Sequence, residues 1–306
     1  MTLSPISAIS ALILVGALYS CHAQELEPRR WDHLPTGVNF GGTGYAYTKG
    51  DILFNPVLLI DDAELEMHTV VIKYVHTFEM FDKLARVDFV QGYRSALWRG
   101  ILDGKQASAN RVGWSDTVLR FSMNLIGSPP LDAKEFAEYR KTVGEHETIV
   151  GAGIAVHIPT GHYLDDKLLN IGTNRYTIRP QIGVVKTWNN WSLDVTGSTW
   201  IFTDNDEFWN GNTLEQDPLF SVQGHLVYTF RPGLWISTGA AWARGAQSKV
   251  NGMEKNDRKT NVGWGVSGGY SFTPQAGIKV GYINYRARER VGADLDNFVF
   301  GMSYVW

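Results

Sequence analysis

The chain has 306 residues, enough for one large domain or two ordinary ones, and its formal net charge of −3 argues against a nucleic-acid partner, which usually needs a basic face. Glycine (32), phenylalanine (14), tyrosine (13) and tryptophan (11) are abundant while mean hydropathy is slightly negative, which excludes a bundle of membrane helices. A barrel wall that alternates lipid-facing apolar with lumen-facing polar side chains has that same average, and so does a soluble β-sandwich.

The first element is the apolar run 6–19, of secretory-signal length and too short to span a bilayer. Cys21-His22-Ala23 follows, small at both recognition positions, and then a polar segment. Residues 1–23 therefore read as a signal peptide cleaved after Ala23, although no Lys or Arg precedes the apolar run. Leu18-Tyr19-Ser20-Cys21 resembles a lipoprotein box, with Tyr19 bulky for it, so lipidation of Cys21 is the alternative. Cys21 is the only cysteine, so the mature fold uses no disulfide. Residues 24–36 read as a periplasmic N-terminal segment, with no plug expected ahead of the first strand.

From Gly37 onward, short runs alternate with a period of two and are separated by turn residues. In Thr148 to Ile158, Val150, Ala152, Ile154 and Val156 share one face and Gly151, Gly153, Ala155 and His157 the other. Leu119, Phe121, Met123 and Leu125 oppose Val118, Arg120, Ser122 and Asn124 in the same way. Twelve such runs begin near residues 38, 70, 84, 117, 148, 175, 191, 220, 234, 261, 276 and 297. Each is about the 9–11 residues that a tilted strand needs to cross a bilayer. Residues 37–306 are thus predicted to form an all-β, closed antiparallel transmembrane barrel of about twelve strands. No later stretch reaches the roughly 20 apolar residues of a membrane helix.

Short links at 79–83, 189–190, 231–233 and 273–275 alternate with long ones at 49–65, 95–111, 159–174, 203–217, 245–259 and 287–294, as strands crossing a membrane demand. The exception is 127–147, on the short side yet long, where a helical insertion near 131–141 is expected. Pro180 lies mid-strand and cannot donate to a ladder, which predicts a bulge or break. Trp188, Trp191 and Trp235 lie beside tight turns, where an interfacial belt would place them. Phe298, Phe300, Met302, Tyr304 and Trp306 fill every second position to the last residue, the form that barrel-assembly machinery reads.

Several segments resemble one bacterial family: Gln24-Glu25-Leu26-Glu27-Pro28-Arg29-Arg30 with Pro35-Thr36-Gly37-Val38-Asn39-Phe40, Asp166-Lys167-Leu168-Leu169-Asn170-Ile171-Gly172-Thr173-Asn174-Arg175, and Phe202-Thr203-Asp204-Asn205-Asp206. Glu215-Gln216-Asp217-Pro218, Gln223-Gly224-His225 and Phe230-Arg231-Pro232-Gly233-Leu234-Trp235 extend the likeness over the mature chain. The family comprises outer-membrane transporter-like proteins named for the meta-pathway of phenol degradation. The resemblance implies a barrel with a transport role, and no residue-level mechanism comes with it.

By strand parity the lumen is lined by Lys73, Arg86, Asp88, Asp116, Arg120, His157, Arg175, Arg179, Gln181, Asp194, Gln223, His225 and Lys279, the candidate solute path. A mildly electropositive wall around Arg120, Arg175 and Arg179 would favour anionic or polarised organic solutes; the alternative is that these arginines pair with Asp88, Asp116 and Asp194 and simply fill the barrel. The acidic loop 204–207 lacks the spacing of a calcium loop and reads as solvated, so no metal or other cofactor is expected. Gly41-Gly42-Thr43-Gly44 lacks the lysine of a phosphate loop and reads as strand. A lipid-modifying enzyme would need a serine beside an outward histidine; His76 is placed outward with no serine partner, so the chain is not expected to be an enzyme. The expectation is a Gram-negative outer-membrane channel passing small organic, even aromatic, solutes. Its partners would be outer-membrane lipid and lipopolysaccharide, the barrel-assembly machinery and the solute itself. A lipid-modifying outer-membrane enzyme and a purely structural membrane protein are the alternatives.

Overall fold

Alternating runs separated by turn residues leave the backbone no helical pattern to follow, and seventeen strands result among the described residues, 26–54, 60–142 and 146–306 of the computed structural model. In chain order they are β1 (Asn39–Leu53), β2 (Ile60–Met80), β3 (Lys83–Leu102), β4 (Lys105–Trp114), β5 (Thr117–Ile126), β6 (His146–Ile158), β7 (Thr177–Trp188), β8 (Trp191–Phe202), β9 (Asn205–Phe208) and β10 (Asn212–Gln216). They continue with β11 (Leu219–Arg231), β12 (Leu234–Gly245), β13 (Ser248–Val250), β14 (Met253–Glu254), β15 (Lys259–Ser271), β16 (Ala276–Ala287) and β17 (Gly292–Val305), and one helix, α1 (Ala133–Thr142), follows β5. The signal peptide, the cleavage after Ala23 and Cys21 fall outside the described residues.

Twelve strands form the wall, each antiparallel to its neighbours, and β1 closes the ring by pairing with both β2 and β17. Closure matters because an open edge in hydrocarbon would leave backbone groups unpaired at several kcal/mol each. The seam is completed by the last residue, whose N–H and C=O both bond Asn39 across 3.0 and 2.9 Å. Around the ring the exposed positions are apolar and alternate: Val70, Ile72 and Tyr74 on β2, Ile182 and Val184 on β7, Phe298, Phe300, Met302 and Tyr304 on β17. The residues between them point inward and are buried, which is the pattern of a wall with lipid outside.

The short links are tight turns. Phe81 and Asp82 both take positive φ (53° and 54°), the backbone of a two-residue hairpin turn whose twist matches the flanking strands. The long 95–111 segment differs from expectation: it is a hairpin, because β3 outruns the membrane and pairs with β4 over Tyr93 to Leu102 after pairing with β5 over Ala85 to Val90. The segments 203–217 and 245–259 likewise carry strand, and β9, β10, β13 and β14 form a small second sheet. Pro180 pairs with Ile154 on β6, while the ladder to β8 lacks pairs at Arg179 and Pro180 and resumes at Gln181 in the same register. The break is there without a bulge.

Helix α1 starts on a reciprocal cap. Asp132 Oδ1 accepts from the N–H groups of Lys134 and Glu135, both at 2.8 Å, and Glu135 Oε2 accepts from Asp132 N–H at 3.1 Å. Phe136 then packs with Leu34, Phe40, Val75, Leu84 and Val305 at the end of the barrel where the short turns lie.

The largest departure from expectation concerns residues 24–36. From Leu26 to Leu34 the segment runs inside the ring, with Leu26, Glu27, Arg30, Trp31, His33 and Leu34 all buried. It is a plug rather than a free periplasmic tail. Trp235 also departs from its expected interfacial place: it is 2 % exposed and points inward, since Gly269 on β15 leaves space beside it.

Candidate functional site

The plug is held by a fit of shape and a fit of charge. Gly151 on β6 and Gly183 on β7 are register partners facing the lumen, and Trp31, 1 % exposed, lies flat across both. A β-carbon on either glycine would overlap the indole, a reason for glycine inside a strand that costs it stability. Trp31 Nε1 donates to Thr196 Oγ1 at 2.9 Å, and the Thr196 hydroxyl donates on to Asp194 at 3.1 Å. Asn124 Nδ2 donates to the Trp31 carbonyl at 3.1 Å. Further along, His33 bonds the Pro129 carbonyl at 2.8 Å and faces Glu147 at 3.3 Å.

The charge fit centres on Glu27. Lys73 Nζ on β2 donates to its Oε1 at 3.1 Å, and Arg30 and Arg120 stand 3.4 and 3.5 Å from its Oε2. Asp88 on β3 shares the same cations, with Arg120 at 3.1 Å, Arg86 at 3.2 Å and Lys73 at 3.7 Å. Burial by itself would raise the Glu27 carboxyl, but Lys73, Arg30, Arg120 and Arg86 together hold it well below the usual carboxylate range. Wall cations and a plug carboxylate therefore form one buried network, where breaking one partner costs far more than at a surface.

Three strands round the ring from Lys73, Lys279 on β16 is buried with no hydrogen-bond partner on its ammonium, 5.3 Å over the Trp235 ring. The indole N–H of Trp235 and Nε2 of His225 on β11 are buried and unsatisfied as well. Arg29 of the plug covers Trp235 at 5.6 Å and pairs with Asp32 at 2.7 Å.

Of the residues expected to line the lumen, Lys73, Arg86, Asp88, Asp116, Arg120, His157, Arg179, Gln181, Asp194, His225 and Lys279 are buried, and Gln223 is half-buried. Arg120, Arg175 and Arg179 do not form the single wall anticipated for them. Arg120 joins the Glu27 network; Arg179 lies 4.3 Å over Trp200; Arg175 belongs to the loop before β7, 4.5 Å over Phe202 and bonded to Gln216. Burial pulls the Arg175 guanidinium down to about 10, against the pull of Asp204 and Asp116. The expected pairing of arginines with carboxylates holds for Asp88. Asp116 instead pins the 159–176 loop, accepting from Gly161 N–H and Thr173 N–H at 3.0 Å each and from the Thr173 hydroxyl at 2.7 Å. In the acidic loop, Asn205 bridges Tyr163 and Thr173, and Glu207 accepts from Asn174. His76 faces Asn39 at 2.9 Å and stacks on Phe78.

Sequence reasoning missed Glu27, Arg30 and Trp31, which lie ahead of the first strand. Two signals pointed to them: a tryptophan in a segment otherwise meant for water, and lumen-facing glycines at matched positions of two runs. Beside the plug lies a cavity of about 420 Å³ at the short-turn end, lined by Arg29, Asp32 and His33 on one side and Ile149, Val185 and Thr187 on the other.

A family model described as "Putative MetA-pathway of phenol degradation" matches residues 36–294. Among solved structures, an outer membrane channel from Pseudomonas putida F1 is similar with a TM-score of 0.76 at 20% identity, covering 92% of this chain and all of the other. The translocator domain of the autotransporter NalP from Neisseria meningitidis follows with a TM-score of 0.52 at 10% identity, covering 90% of each chain. The transport unit of the autotransporter AIDA-I from Escherichia coli gives 0.51 at 9% identity and 99% of each chain. No curated protein sequence matches. At these identities the likeness establishes the fold, that of outer-membrane barrels.

Proposed function

The chain belongs to the family whose model spans residues 36–294, and on that premise we propose that it is an outer-membrane channel for passive diffusion of small organic solutes, shut by its own N-terminal segment. The observation that carries this is the filling of the lumen. A barrel serving only as an anchor could pack its interior with side chains from the wall, whereas here a separate strand of chain, residues 26–35, occupies the centre through contacts that can be undone. Around Glu27 and Trp31 the wall it covers is polar and charged, as a path for polarised solutes requires, while Leu26 packs on an apolar stretch that includes Val71, Val90 and Val118. At twelve strands the lumen is narrower than that of a 16-stranded porin, which suits single small molecules. The cavity left at the short-turn end is within the range of small-ligand pockets, about 300–1,000 Å³.

Proteoliposome uptake tests the proposal with a panel of phenol, aromatic acids and sugars. Wild-type protein should admit the aromatic compounds slowly, and a variant with a loosened plug should admit them quickly. Equal exclusion of every solute by both proteins, once folding is verified, would reject a channel.

A further inference from the structure

We propose that the lumen contains a binding site for small organic carboxylates, best for aromatic ones, and that Glu27 of the plug occupies it in the closed state as a tethered stand-in for the solute. The inference rests on the channel reading and names the solute class that such a channel would favour.

The wall itself is unbalanced. Lys73, Arg86 and Arg120 surround one wall carboxylate, Asp88, and Lys279 adds a fourth cation with no hydrogen-bond partner. Lys73 and Lys279 lie three strands apart round the ring, on β2 and β16. Lys73 pairs with Gly42 on β1, Gly42 with Ser303 on β17, and Lys279 with Gly301, two residues before Ser303 on β17. Between the two lysines the inward positions are Gly42, Gly44, Gly301 and Ser303, a floor almost without side chains. The plug places one carboxylate against this ground, and Glu27 takes a direct bond from Lys73.

Departure of the plug would expose these cations together, and a carboxylate from solution would meet the charges and donors that Glu27 now meets. Arg29 would leave at the same time, uncovering the face of Trp235 beside Lys279. An indole face next to a buried ammonium favours a flat ring carrying a negative group. The unsatisfied Trp235 N–H and His225 Nε2 offer further polar contacts at that place.

The test uses full-length protein in detergent, titrated by calorimetry with sodium benzoate and with benzyl alcohol, its neutral counterpart. Glu27→Gln removes the internal competitor. It should bind benzoate at least tenfold more tightly than wild type, with benzyl alcohol bound equally and weakly by both. Lys73→Met or Lys279→Met in the Glu27→Gln background should abolish the preference, and either one suffices if the other fails to show the gel shift of a folded barrel. Unchanged benzoate affinity in Glu27→Gln, or equal affinity for acid and alcohol, would overturn the site. Bilayer conductance of the same proteins separates the two claims: benzoate binding without current supports the site and rejects the channel, while current without benzoate preference does the reverse.

Discussion

Replacing Trp31 with alanine should open the barrel. The indole is 1 % exposed; a buried tryptophan removes roughly 150–250 Å² from water, worth about 4–6 kcal/mol at about 25 cal/mol per Å². Its N–H bond to Thr196 adds about 1 kcal/mol. Alanine keeps a small part of this and the undocked segment retains some contacts, so a loss of about 3–5 kcal/mol is expected, the usual cost of a core Trp→Ala change. Each 1.4 kcal/mol is about tenfold, so the open-to-closed ratio should rise by about two to three and a half orders of magnitude. Single-channel recording in planar bilayers reads this as the fraction of time spent in a high-conductance state. Gly183→Ala should act in the same direction from the other side of the contact, because its methyl would overlap the indole. In the double variant the clash has lost its target, so Trp31→Ala with Gly183→Ala should conduct like Trp31→Ala alone. Gly197→Ala, with nothing within 4 Å of the added carbon, is the control and should change nothing. Wild-type conductance in Trp31→Ala, or additive opening in the double variant, would refute the docking argument.

The plug should also respond to acid. Glu27 has its carboxyl held well below 4.5 when docked, so its contribution to closure is complete above the free value and drains as pH falls through the docked one. Conductance should stay flat from pH 8 to about 5 and climb below about 4.5, and Glu27→Gln should lack that acid step. Lipid and lumen faces should differ sharply in tolerance: Ile182→Arg, on the exposed apolar face, should cost about 2–4 kcal/mol of barrel stability, while Gln181→Arg, one residue away and inward, should cost much less in the same urea titration. Trp306→Gly keeps the backbone bonds to Asn39 but removes the terminal ring that stacks with Tyr304; folded yield in the outer membrane should fall several-fold, read by heat-modified gel migration, with conductance of the folded fraction unchanged.

Wall strands were legible in the sequence because hydrocarbon outside and polar lumen inside impose a period of two that no other arrangement demands over twelve runs. The C-terminal run 298–306 and the turn at 189–190 are cases where local pattern and fold agree completely. Length misled at 95–111, since a hairpin outside the membrane has no lipid face to mark it. Lys73, Asp88, Arg120 and Lys279, expected inward by parity, are buried, yet Glu27, which Lys73 and Arg120 meet, comes from the plug, and no spacing along the chain encodes a distance across the lumen. The plug was the costliest omission. Residues 26–35 have no periodicity, because each side chain answers to a different strand: Trp31 to β6 and β7, Glu27 to β2 and β5, Leu34 to α1.

The interior glycines show where an open path would run. Those on β12 and β15, namely Gly239, Gly263, Gly265 and Gly269, sit beneath wall side chains: His225, Tyr285, Ile283 and Trp235 fill the places a β-carbon would take. These rings and chains stay when the plug leaves. Gly151 and Gly183 differ, because the side chain over them belongs to the plug. On the proposed reading, undocking would widen the lumen along β6 and β7, besides lifting Arg29 from Trp235 and Glu27 from Lys73. The remaining cavity is lined by Glu147 and Ile149 of β6, Val185 and Thr187 of β7, Ser192 of β8 and Thr229 of β11, so it would meet the short-turn end of that lane. A solute following it would pass Gln181, Arg179 and His157 on the way across. Lys279 on β16 and Lys73 on β2 would then act on its charge.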